Sequence, residues 1–136
     1  DSIGFILPLA AGTSLFMMAT AEHVPDLLHR GQLLDLADQL GPASCREFVG
    51  NYVAMWEGRF DRLRTAVIAA DDDAAMDVVL SIKIASEMAG AQRLAALACC
   101  AQERLKQSGA AELSSMLGLI AVCGRETMPC LLASLD

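Results

Sequence analysis

Aromatic side chains are scarce in this chain of 136 residues: one Trp, one Tyr and four Phe, 4% of the total. Apolar residues nevertheless make up 54%, so any core is filled by Leu, Ala, Ile, Val and Met, which suit interlocking helices better than sheets. Basic residues are also few. Ten Lys and Arg face seventeen Asp and Glu, for a formal charge of −7, and they are dispersed along the chain. That balance argues against nucleic acid or an anionic membrane as partner, since both are held by clustered cations. There is no glycine-rich phosphate loop, and no nucleophile, base and orienting group stand at a recognisable spacing, so the sequence gives no sign of an enzyme or of a bound cofactor. Internal repeats, low-complexity tracts and strand-like alternation are absent too.

The cysteines follow the same logic. Cys45, Cys99, Cys100, Cys123 and Cys130 form an odd set without a C-x-x-C pair and without a nearby histidine. No metal site is expected from them. Each falls in an apolar helical context, which predicts buried, reduced thiols in a cytoplasmic protein.

A chain of this length is one domain by size and buries roughly two-thirds of its unfolded surface. Residues 1–24 read as an N-terminal hydrophobic arm, and residues 25–136 as the folded bundle. Within the arm, Ile3 to Ala19 is uncharged. It is short for a membrane span, carries Pro8 and Gly12, and lacks the basic start of a secretory signal. Such an arm needs a surface to cover, on its own bundle or on a second copy. An initial Asp1 also permits it to be the end of a preceding segment.

Punctuation divides the remainder into helices. Pro25 is expected to start a short helix through Leu27 and Leu28, with Gly31 interrupting it. Gln32 to Leu40 has helical spacing and ends at Gly41-Pro42. Ser44 with Glu47 has the form of a capping box for a long helix. That helix carries Phe48, Tyr52, Met55, Trp56, Phe60, Leu63 and Val67 as its apolar stripe. Asp71-Asp72-Asp73 reads as a turn plus N-cap. A helix from about Ala74 to Met88 follows, and Gly90 marks a break or a close helix contact. Ala91 to Gln107 gives another helix, with Leu94, Leu97, Ala98, Ala101 and Leu105 on one side. The last begins near Ala110, contains Leu113, Met116, Leu117, Ile120 and Val122, and is expected to kink near Pro129. Four long amphipathic helices with short connections predict an all-α fold, an antiparallel up-and-down four-helix bundle with the arm and short helices added at its N-terminal end.

The stretch Leu80 to Leu94, LSIKIASEMAGAQRL, carries a further signal. With Lys83 and Gly90 in place, and flanked by LLDLADQLG, FVGNYVAMWEGRFDRLRTAVIAADD and AGAQRLAAL, it resembles the signature of the histidine-containing phosphotransfer (HPt) family over about Leu33 to Leu135. Members of that family carry a phosphoryl group between receiver-domain aspartates on an exposed helical histidine. The resemblance implies a four-helix bundle in two-component phosphorelay signalling, with a response-regulator receiver domain or a histidine kinase as partner. Two positions depart from the pattern. Leu80 stands where the phospho-acceptor histidine would be, and Ile84 replaces the small residue after the lysine. Leucine has no lone pair to attack an acyl phosphate, which implies a pseudo-phosphotransfer protein that binds without catalysis.

Helical spacing then defines a candidate protein-binding face. Ala75, Val78, Val79, Ile82, Ala85 and Ala89 should face the core. Met76, Leu80, Ile84 and Glu87 lie opposite, with Lys83 beside them, so the acceptor position becomes part of an apolar strip. The arm, a second copy forming a homodimer, or a receiver domain are the three occupants this strip suits. Two other functions stay open at this level. An active relay would use His23 or His29, the only histidines, although neither is followed by lysine three residues on. A helical scaffold unrelated to signalling is the other.

Overall fold

The computed structural model describes residues 24–135. The residues 1–23 of the expected arm, His23 included, lie outside that range. Regular structure among the described residues is entirely helical: α1 Arg30–Leu40, α2 Pro42–Ile68, α3 Asp72–Ala89, α4 Gln92–Ser108, and a 3-10 segment Ala110–Met116 that runs directly into α5 Leu117–Ser134. Helix α3 packs on α2 and α4, and α5 packs on the same two, so the four long helices form a ring of neighbours. Helix α1 lies across α2 and α3. The connectors Ala69 to Asp71, Gly90-Ala91 and Gly109 are too short to carry the chain to the far end, so each helix returns beside the one before it. This is the expected all-α bundle, with α1 as a short fifth helix.

Helix starts differ from the sequence expectation in two places, both for reasons of capping. No helix forms at Pro25 to Leu28; instead His29 is the N-cap of α1, its Nδ1 accepting from the Gln32 N–H at 3.0 Å. Gly31 sits inside the first turn rather than ending a helix. Satisfying an orphan N–H offsets the roughly 1 kcal/mol that glycine costs there. The backbone of the preceding segment is used elsewhere: the His29 N–H donates to the Gly90 carbonyl at 2.7 Å, and Arg93 Nε donates to the Pro25 carbonyl at 2.9 Å. The segment is thereby strapped over the α3–α4 turn. In α2 the capping box at Ser44 and Glu47 is not used. The helix begins at Pro42, whose fixed φ suits the first helical position, and Gly41 (φ 89) serves at once as C-cap of α1 and N-cap of α2.

The acidic turn behaves as expected and does more. Asp71 caps α3 by accepting from the Ala74 N–H at 3.1 Å, while Asp72 Oδ1 reaches across to accept from the Ala110 N–H at 2.7 Å. One carboxylate starts α3 and its neighbour starts the 3-10 segment. At the other end of α3, Gly90 takes a left-handed conformation (φ 76), and the Ala91 N–H closes on the Ser86 carbonyl at 2.8 Å. A Cβ at Gly90 would also stand 2.7 Å from the His29 carbonyl oxygen, so this glycine answers both expectations, a break and a close contact.

The core is small-residue and aliphatic, as composition requires. Val49, Leu63, Val79, Ile82, Leu94, Leu113 and Leu131 are fully buried. Tyr52 and Trp56 are buried with them, but Met55 is 48% exposed, because the buried stripe of α2 runs through Val49, Tyr52 and Trp56 and leaves Met55 outside it. Trp56 packs against Gly124 of α5, where a Cβ would stand 2.2 Å from the indole. The cysteines divide: all five are free, Cys45 and Cys123 are buried, and Cys99, Cys100 and Cys130 are exposed, contrary to the expectation of five buried thiols. Helical angle decides this, since Cys99 and Cys100 turn past the α4 stripe of Leu94, Ala98, Ala101 and Leu105.

Helix α5 continues through Pro129 to Ser134. Together with the 3-10 segment it makes a stretch, Ala110–Ser134, long and apolar enough to cross a membrane by length and composition alone, with less than half of its most apolar part buried in the bundle. Its inward side carries Ile120, Cys123, Gly124, Thr127, Met128 and Leu131.

Candidate functional site: the outer face of helix α3

The inward side of α3 holds Ala75, Val78, Val79, Ile82, Ser86 and Ala89, all buried. Sequence periodicity identified five of these; Ala85, expected among them, is half-buried, and Ser86 takes the interior place instead. Ser86 is tolerated there because its Oγ lies 2.6 Å from Tyr52 Oη, a buried hydrogen bond between α3 and α2. Burial pushes the Tyr52 hydroxyl up to about 12, against a smaller lowering by the Ser86 hydrogen bond. Nearby on α5, Cys123 Sγ and Thr127 Oγ1 pair at 3.7 Å, and burial raises the Cys123 thiol as well. All four groups are closed off from solvent; the Tyr52–Ser86 pair joins α2 to α3, while the Cys123–Thr127 contact lies within α5.

The five residues assigned to the partner-binding face do share the opposite side of α3, but they do not form a uniformly open strip. Met76 is half-buried against the core, and Leu80, at the acceptor position, is half-buried. Ile84 is 56% exposed and Glu87 is exposed. Lys83 is half-buried, and its Nζ donates to Gln102 Oε1 on α4 at 3.1 Å. The ammonium is therefore tied to the neighbouring helix beside Leu80, and among the described residues it is not paired with an acid. Two participants were not anticipated. Met88, 39% exposed, extends the series Met76, Leu80, Ile84 by one more four-residue step and was legible from that spacing. Gln102 was not legible, because its contact with Lys83 depends on how α4 packs on α3.

Met76, Leu80, Lys83, Ile84, Glu87 and Met88 bring neither an imidazole nor a thiol to this face. The nearest hydroxyl, Ser81, is half-buried. His29 is distant in role, exposed and occupied as the cap of α1. Among the described residues no group of three or more His, Cys, Asp or Glu side chains stands close enough to hold a metal ion. An open groove of about 590 Å³ lies between the second half of α2 and the first half of α3, lined by Asp61, Arg64, Asp71 and Asp77 among others. Its charges are mixed, and Arg64 is already paired with Asp61.

Comparison with family models, with curated proteins and with solved structures finds no match for this chain. The class the fold itself defines is an all-α helical bundle.

Proposed function

We propose that this protein is a non-catalytic, HPt-like binding module of phosphorelay signalling, which engages a receiver domain through the outer face of α3 without carrying phosphate. The observation that supports it is Leu80, set on that face next to a lysine held by Gln102, with Ile84 and Glu87 exposed one turn further on. A receiver domain presents its phosphorylated aspartate to a helix of this kind. With leucine in place of imidazole, contact remains and transfer does not. Burying Leu80 and Ile84 in such a contact is worth about 1.5 to 3 kcal/mol each at full burial. The five free cysteines suit a cytoplasmic setting, where thiols stay reduced.

The test has two arms. The protein, incubated with receiver domains from the same genome under acyl-phosphate-stabilising conditions, should bind at least one and take up no acid-labile, base-stable label, and Ile84→Asp should abolish binding while leaving the helical fold intact. The double variant Leu80→His/Ile84→Ala restores an imidazole and the small residue, and it should gain label on residue 80. Label on His29 or His23 of the unaltered protein would replace this reading with an active relay. Failure to bind any receiver, with no label in the double variant, would leave a scaffold unrelated to signalling.

A further inference from the structure

We infer that His29 is a proton-operated latch, whose neutral imidazole closes the first turn of α1 and the segment before it onto the α3–α4 turn, and whose protonation lets that end of the bundle open. Residues Val24 to His29 form no helix. They are held on the α3–α4 turn by three polar contacts. The His29 N–H donates to the Gly90 carbonyl at 2.7 Å, Arg93 Nε donates to the Pro25 carbonyl at 2.9 Å, and the Arg93 N–H donates to the Leu27 carbonyl at 3.5 Å. Beneath them Leu27 and Leu28 pack, half-buried, against the core.

The His29 side chain carries this arrangement on into α1. The Gln32 N–H is shared between Nδ1 at 3.0 Å and the His29 carbonyl at 3.1 Å. The ring lies over Gly31, where a Cβ would stand 3.0 Å from Cε1. Nδ1 accepts through its lone pair, so the closed form takes the neutral ring with its proton on Nε2. Protonation replaces that lone pair by an N–H facing the Gln32 N–H. It also sets a full positive charge at the positive end of the α1 dipole, next to Arg30, and no acidic residue stands in the first turn of α1 to offset it.

The elements that touch His29 are its own segment, the first turn of α1 and the α3–α4 turn. Their charged groups are Asp26, Arg30, Glu87 and Arg93. Among the described residues no carboxylate pairs with the imidazole, and Arg93 is engaged by the Pro25 carbonyl and by Glu126. Protons therefore bind the open form in preference. By linkage the closed form is complete at the alkaline end of the range in which imidazoles change charge, and it is lost as pH falls from about 8 towards about 5. Opening bares Leu27 and Leu28 and frees the end of α3 that carries Glu87 and Met88. The inference does not rest on the receiver reading.

Amide hydrogen exchange on the full chain, followed by NMR and expressed as protection factors so that the intrinsic effect of pH is removed, tests it. In the unaltered protein, protection at His29 and Gln32 should fall about fivefold between about pH 7.5 and about pH 5.5, the loss of one helix cap, while Val79 and Ile82 in the core keep theirs. His29→Asn retains a capping acceptor without a titrating ring and should hold its protection at both pH values. His29→Ala should show the low value at both, with unchanged far-ultraviolet circular dichroism. Protection at Gln32 that is independent of pH in the unaltered protein overturns the inference. So does a fall of equal size in His29→Asn, which would assign the effect to another titrating group such as His23.

Discussion

Tyr52 of α2 and Ser86 of α3 share a buried hydrogen bond of 2.6 Å, the polar link between two helices that otherwise meet through Val, Leu and Ala. Both residues are nearly sealed from water, at 3% and 0% exposure. A link of this kind is asymmetric in its energetics, because an unpaired hydroxyl left inside costs more than the bond itself contributes. Tyr52→Phe is therefore expected to destabilise the fold by about 1 to 3 kcal/mol, and Ser86→Ala by a similar amount. The double variant should cost less than the sum of the two. Chemical denaturation of the four proteins measures this coupling directly.

The same tyrosine sets an alkaline limit. Its folded value is raised to about 12 by burial, above the ordinary 10.0 that it regains on unfolding. Between these values the unfolded state releases the proton and the folded state keeps it, so stability is complete below pH 10 and falls as pH rises towards 12. The difference of about two units corresponds to no more than about 3 kcal/mol. Urea midpoints should drop across that window in the unaltered protein, and Tyr52→Phe should flatten the drop.

Gly124 should be intolerant of any side chain. Trp56 lies against its backbone, so Gly124→Ala forces the indole or α5 to move, at about 1 to 3 kcal/mol for an overpacked core. Trp56→Phe in the same chain frees space and should recover part of that loss. Thermal melts of the single and double variants give the comparison, with near-ultraviolet circular dichroism reporting on whether the core stays ordered.

Asp71 and Asp72 are adjacent, yet their replacement should affect different ends of the fold. Asp71→Ala removes the cap of α3, and Asp72→Ala removes the acceptor for the Ala110 N–H at the start of the last segment. Each is expected to cost about 1 kcal/mol. Hydrogen exchange should distinguish them, with faster exchange at Ala74 in the first and at Ala110 in the second. Asp72→Asn, which keeps an acceptor oxygen, should retain most of the protection at Ala110.

Much of the architecture was legible because helices report themselves locally. The four-residue series Met76, Leu80, Ile84 placed the outer face of α3, and Gly90 announced both the end of that helix and a close approach. Local rules failed where two satisfied the same backbone groups. His29 outcompeted Pro25 as a helix start, and Gly41-Pro42 outcompeted Ser44 and Glu47. The candidate site was legible in outline, since spacing alone put Met76, Leu80, Lys83, Ile84 and Glu87 together. That Met76 sinks against the core while Ile84 stays exposed was not, because neighbouring helices set burial within a face.

By itself the sequence determined an aliphatic, acidic, helical protein, with leucine at position 80 and therefore no imidazole on that helix. These properties follow from composition and from a period of 3.6 residues, which need no partner to be read. Only the tertiary structure decided that Lys83 is held by Gln102, that Ser86 is interior, that three cysteines face solvent, and that α5 turns Arg125 and Glu126 outward. The reason is that such properties belong to pairs of helices, and how one helix is rotated against another is fixed by side chains remote in sequence that must fill a common core.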